Sequence, residues 1–121
     1  MRFFKRNEIA ISKFIFRDIV TGEAINVNNA QYSIVYYVGP TENIVVAESP
    51  LDMLMGKTGE YVCSWEIPEN TIENETYFVR ATGTHPINNS TIVLEDFYRV
   101  IAETFFPGSS AGGMTIKFTK P

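Results

Sequence analysis

The stretch EYVCSWEIPENTIENETYFVRATG, residues 60–83, decides the fold class. In its first part Tyr61, Cys63, Trp65 and Ile67 alternate with Glu60, Val62, Ser64 and Glu66. That is the period of a strand with one buried face, so Cys63 and Trp65 are expected in the core. Pro68 then forbids continuation, and an acidic, Asn-bearing turn follows. YFVRA resumes the alternation with Tyr77, Val79 and Ala81 on the apolar side.

Working outward, YSIVYYV places Tyr32, Ile34, Tyr36 and Val38 on one side of a further strand. MTIKFTK sets Met114, Ile116 and Phe118 against Thr115, Lys117 and Thr119, a strand with one face toward water. In NEIAISKFIFRD the apolar phase passes from Ile9 and Ile11 to Phe14 and Phe16, which predicts a bulge near Ser12. Between these runs lie Thr21-Gly22, Gly39-Pro40, Ser49-Pro50, Gly83, His85-Pro86 and Pro107-Gly108, residues that turn a chain. Only SPLDMLMGKTG has helical signals, with Ser49 as cap and Gly56 as stop. No βαβ unit is visible and no repeat is found. The pattern predicts an all-β chain of roughly seven to nine short strands in two antiparallel sheets packed face to face. PGSSAGG, residues 107–113, reads as a loop feeding an extra C-terminal strand.

A length of 121 residues suits one domain that buries roughly two thirds of the surface of its unfolded chain. Hydrophobic residues at 45%, with nine Phe and six Tyr, exclude a disordered chain. A single cysteine allows no internal disulfide, so packing must hold the domain, as in a reducing cytoplasm. The start MRFFKRNEIAISKFIF is basic then apolar, but Glu8, Ser12 and Lys13 interrupt it and no small-residue cleavage site follows; a signal peptide is not expected. Apolar runs of about 18 residues are absent, so neither is a membrane-spanning helix. Asn74-Glu75-Thr76, Asn88-Asn89-Ser90 and Asn89-Ser90-Thr91 match the glycosylation acceptor and are read as turn chemistry.

The candidate reactive groups lack companions in sequence. His85, the one histidine, sits in the turn GTHPINN with no second histidine or carboxylate at a defined spacing. Cys63 lies inside a strand beside Trp65 without a basic neighbour to lower its pKa, and is read as a buried thiol. Glu66, Glu69, Glu73 and Glu75, with Asn70 and Asn74, form an acidic corner whose spacing fits no calcium loop. GSSAGG has no following Lys and matches neither G-x-S-x-G nor G-x-G-x-x-G. No enzyme, metal or cofactor is therefore expected.

Charge is distributed unevenly. Residues 1–17 carry Arg2, Lys5, Arg6, Lys13 and Arg17 against Glu8 alone, whereas all the other carboxylates of the 14 lie from Asp18 onward, facing Lys57, Arg80 and Arg99 up to residue 116. An acidic body is a poor surface for nucleic acid. The cations interleaved with aromatics, Arg2, Phe3, Phe4, Lys5 and Arg6, are expected to form a docking arm for an acidic protein surface. This divides the chain into a basic arm with the start of the first strand at 1–13, a sandwich at 14–106, and the loop and last strand at 107–121.

The order FRDIVTGEAINVNNAQYSIVYY, GKTGEYVCSWEIPENTIENETYFVRATGT and EDFYRV resembles the immunoglobulin-like sandwich modules of tailed-bacteriophage virion proteins. The residues that carry it are Gly59, Tyr61, Trp65, Ile67 and Pro68, then Tyr77, Val79 and Ala81, within about residues 14 to 101; Glu75 stands where those modules often carry Gly. The resemblance implies an immunoglobulin-like antiparallel sandwich. It also implies a non-enzymatic virion protein, assembled in the host cytoplasm, that decorates the capsid or serves at the head, neck or tail. Partners would be other virion proteins or further copies of the chain, with no nucleic acid and no membrane insertion. The competing reading is a carbohydrate- or protein-binding adhesion sandwich, whose sign would be exposed aromatics grouped on one face, with Tyr37, Phe78 and Phe105 to be placed.

Overall fold

The computed structural model describes residues 1–102. Among them the chain is all-β, built as two sheets. The strands are β1 Arg2–Phe4, β2 Ile9–Ile15, β3 Asn28–Val38, β4 Thr41–Pro50, β5 Asp52–Met53, β6 Glu60–Glu66, β7 Glu75–Thr84 and β8 Thr91–Val100. One sheet runs β1-β8-β7-β3-β4 and the other β2-β6-β5. All pairings are antiparallel except β1 with β8, which is parallel.

The deciding stretch folds as its alternation predicts. Tyr61, Cys63, Trp65 and Ile67 are buried from β6 and its exit, and Tyr77, Val79 and Ala81 from β7. They meet Phe14, Phe16, Ile34, Tyr98 and Val100 in one core between the sheets. The rings interlock at angles that suit their quadrupoles: Trp65 lies 5.5 Å from Tyr77 and 6.3 Å from Tyr98, and Phe16 stands edge-on to Tyr61 at 5.3 Å. Gly83 on β7 leaves room for Val27; a Cβ there would stand 2.4 Å from the Val27 Cγ2. The β3–β4 hairpin turns at Gly39, whose φ of 59° lies in the left-handed region that glycine enters without steric cost.

Two expectations are corrected. The β2 strand pairs with β6 from Ile9 to Ile15 without interruption, so there is no bulge near Ser12. Its inward residues are Ala10, Ser12 and Phe14, while Ile9 and Ile11 face outward. A polar residue takes the inward position because Asp96 of β8 meets it: Ser12 Oγ donates to Asp96 Oδ2 at 2.7 Å. Second, SPLDMLMGKTG is not helical; it contains the end of β4, the short β5 and turns, and Ser49 Oγ donates to the Ala47 carbonyl instead of capping. The basic start forms strand β1 of the larger sheet. The MTIKFTK strand, the PGSSAGG loop and Phe105 lie outside the described residues.

Candidate binding face

The outer side of the five-stranded sheet follows from register. Val35 pairs with Ile44 on β4 and Phe78 on β7, and Phe78 pairs with Phe97 on β8. Directly opposed residues on one face of a sheet are side-chain neighbours. These four therefore form a continuous apolar row across β4, β3, β7 and β8. Within the row Val35 is buried although it points away from the core, whereas Ile44 is 62% exposed and Phe97 46% exposed. Tyr37 extends the row: its ring meets Phe78 edge-on at 5.6 Å, and Phe78 lies 6.1 Å from Phe97. Tyr37 and Phe78 are thus on one face together, as the adhesion reading required of them.

Charge surrounds the row. Arg80 donates to the Tyr37 hydroxyl at 2.8 Å and to Glu42 at 3.2 Å, and lies 4.0 Å from Glu95. Arg99 is anchored on the Asn74 carbonyl at 2.8 Å. Such exposed pairs contribute little to stability, on the order of 0–1 kcal/mol each, but they hold the rim groups in place around the rings.

The five residues expected to act as a docking arm are divided by β1. Arg2 pairs in register with Tyr98, and Phe4 with Val100, so both point inward. The Phe4 ring stands edge-on to Tyr98 at 5.2 Å. The Arg2 guanidinium lies over the Phe4 and Tyr98 rings and bonds Asp96 and the Ile11 carbonyl, linking the two sheets along this flank. Phe3 alternates to the outer face beside Arg99. Arg6 donates to the Thr71 carbonyl at 2.8 Å and pairs with Glu73 at 3.6 Å, which brings a cation to the acidic corner. The Lys5 amide donates to Glu8 at 2.7 Å. Of the five, Phe3 alone joins the apolar row's face.

The two residues considered for catalysis are each committed elsewhere. Burial pushes the Cys63 thiol up to about 11, so it is protonated at neutral pH. His85 is buried, not an open loop residue, and contacts Asp18 at 2.8 Å, a partner 67 positions away that spacing could not reveal. Its Nδ1 accepts from the Ile87 amide at 3.1 Å, which makes Nε2–H the donor to Asp18. Both ring nitrogens are occupied, and the pair ties the loop after β2 to the β7–β8 hairpin loop. The His85 hydrogen bond, aided by the Thr21 and Val20 amides, holds the Asp18 carboxyl at about 2.

A cleft of about 270 Å³ is lined by Tyr36, Val45, Trp65, Pro68, Ile72 and Tyr77 among others. Tyr77 donates from its hydroxyl to the Ile72 carbonyl at 2.9 Å and so fixes the turn that forms one wall.

Comparison with known proteins gave no match: no family model, no curated protein and no solved structure is significantly similar to the chain.

Proposed function

We propose that this chain is a non-enzymatic binding module with an immunoglobulin-like frame, and that it acts by protein–protein contacts through the outer face of its five-stranded sheet. The observation that carries this is the apolar row Ile44, Val35, Phe78 and Phe97 with Tyr37 beside it and charges around it. Interface cores are enriched in aromatics and depleted in charge, with a polar rim, and contiguous exposed apolar patches mark such sites. The edge-on arrangement of Tyr37 against Phe78 favours a protein partner over a sugar, since a pyranose ring stacks on a flat, open ring face.

Support for the frame comes from connectivity. Strands β2, β6 and β5 in one sheet against β8, β7, β3 and β4 in the other correspond to the B-E-D and G-F-C-C′ arrangement of immunoglobulin sandwiches. The Tyr77 hydroxyl bond to a backbone carbonyl five residues upstream corresponds to the tyrosine corner of those folds. The bacteriophage virion is the setting that the resemblance of the 59–83 stretch supplies, and capsid decoration or a head, neck or tail accessory role is the task proposed there.

Mass spectrometry of particles purified from the producing host, with wild-type and Phe97→Asp chains expressed together, tests the reading. The wild-type chain should be found in the particle and the variant should be depleted at least tenfold. Absence of both refutes the virion setting; equal incorporation refutes the face.

A further inference from the structure

The outer face of the five-stranded sheet is self-complementary about its apolar row. Along β8 the side chains on this face include Glu95, Phe97 and Arg99, so a carboxylate and a cation stand two residues to either side of the phenylalanine. Each is about 7 Å from it along the strand. Neither charge has a close ionic partner of its own: Glu95 meets Arg80 at 4.0 Å, and Arg99 bonds the Asn74 carbonyl and no carboxylate among the described residues. On β7 Thr76 and Arg80 flank Phe78 in the same way, on β3 Ser33 and Tyr37 flank Val35, and on β4 Glu42 lies two residues before Ile44. The charged groups beside the row are thus Arg80 and Arg99 against Glu42 and Glu95, a neutral set on a chain of net charge −4.

A two-fold axis laid along the row, perpendicular to the strands, turns this pattern onto itself. In such an isologous contact each residue on the axis meets its own counterpart, and residues on one side of the axis meet those on the other. The register puts Thr76 beside Arg99 on one side of the row, and Ser33, Arg80 and Glu95 together on the other. Arg99 of each copy therefore faces Glu95 of the other, and Thr76 faces Arg80. The strands of the two copies run antiparallel, as in aligned sheets packed about 10 Å apart, a gap that Arg and Glu side chains bridge. Arg80 brings no uncompensated charge to the axis, since it is bonded to its own Glu42 at 3.2 Å. A partner of a single charge sign would leave either Glu95 or Arg99 opposed, whereas a second copy satisfies both.

We infer that the partner of this face is a second copy of the chain, held by the row of Ile44, Val35, Phe78 and Phe97 on a two-fold axis and by two pairs of Arg99 with Glu95 between the copies. The inference rests on the proposed use of this face for protein contacts. Sedimentation of the purified full-length chain should give a dimer of twice the 13.7 kDa monomer mass. Arg99→Glu sets carboxylate against carboxylate across its own dimer, and Glu95→Arg sets cation against cation, so each should raise the dimer Kd roughly tenfold or more. In an equimolar mixture of the two variants every pair is again of opposite sign; the dimer should return, and its return shows that both variants are folded. A wild-type chain that stays monomeric, or a mixture that dimerises no more tightly than its components, overturns the second copy as partner. Particle incorporation of Phe97→Asp then decides separately whether the face meets a different protein.

Discussion

Strands β7 and β8 carry aromatic residues on both faces, and the two faces treat them differently. On the inner face Tyr77 and Tyr98 are enclosed, stacked around Trp65, and Tyr77 is further held by its bond to Ile72. On the outer face Phe78 and Phe97, next in sequence to Tyr77 and Tyr98, touch each other, and Phe78 touches Tyr37; Phe78 is half-buried and Phe97 is open to solvent. The same alternation and the same residue types thus make a core on one side and a surface on the other. What separates them is the second sheet: β2, β6 and β5 cover the inner face, and nothing among the described residues covers the outer one. Aromatic content in a strand therefore does not by itself identify core.

The largest expected effect is on the inner face. Trp65→Ala removes a ring that contacts both Tyr77 and Tyr98 and should cost about 3–5 kcal/mol, read by denaturant unfolding. Phe97→Ala, at a surface position, should stay within about 0.5 kcal/mol in the same assay. Equal costs for the two would erase the distinction between the faces. Tyr77→Phe keeps the ring and deletes one hydroxyl, leaving the Ile72 carbonyl without its donor, and should cost about 1 kcal/mol. An unchanged stability would mean that the hydroxyl does not fix the 67–74 turn.

A smaller, pH-dependent effect belongs to neither face. The Asp18 carboxyl is held at about 2, below its ordinary value of 3.8. Its charged form is favoured in the folded state, so its contribution is complete above about pH 4 and is lost as pH falls toward 2. Asp18→Asn should therefore flatten the acid limb of the unfolding midpoint between pH 4 and pH 2 relative to wild type. Parallel limbs would show that the His85 contact does not depress the carboxyl.

Much of this was legible in the sequence where one physical rule decided the outcome. The alternation in β6 and β7 identified Tyr61, Cys63, Trp65, Tyr77 and Val79 as inward because one face of each strand is buried. It failed where burial was two-sided or polar. Val35 is buried on the outer face between Ile44 and Phe78, which a period of two cannot express. Ser12 is inward because Asp96, 84 residues later, and Arg2 complete its hydrogen bonding, and no local rule anticipates a partner so distant. The His85–Asp18 contact was hidden for the same reason. Tyr37 and Phe78 were recognisable as residues to place, but Ile44 and Phe97 joined them through strand register, which sequence alone does not supply.

The claim that the inner face holds the fold while the outer face meets a partner is tested most directly by Phe97→Asp, beside the buried Tyr98. One sample of the variant should be measured for thermal unfolding and for incorporation into particles from the producing host. The account predicts a Tm within about 3 °C of wild type together with at least a tenfold loss of incorporation. A variant that keeps its Tm and incorporates as well as wild type would contradict it.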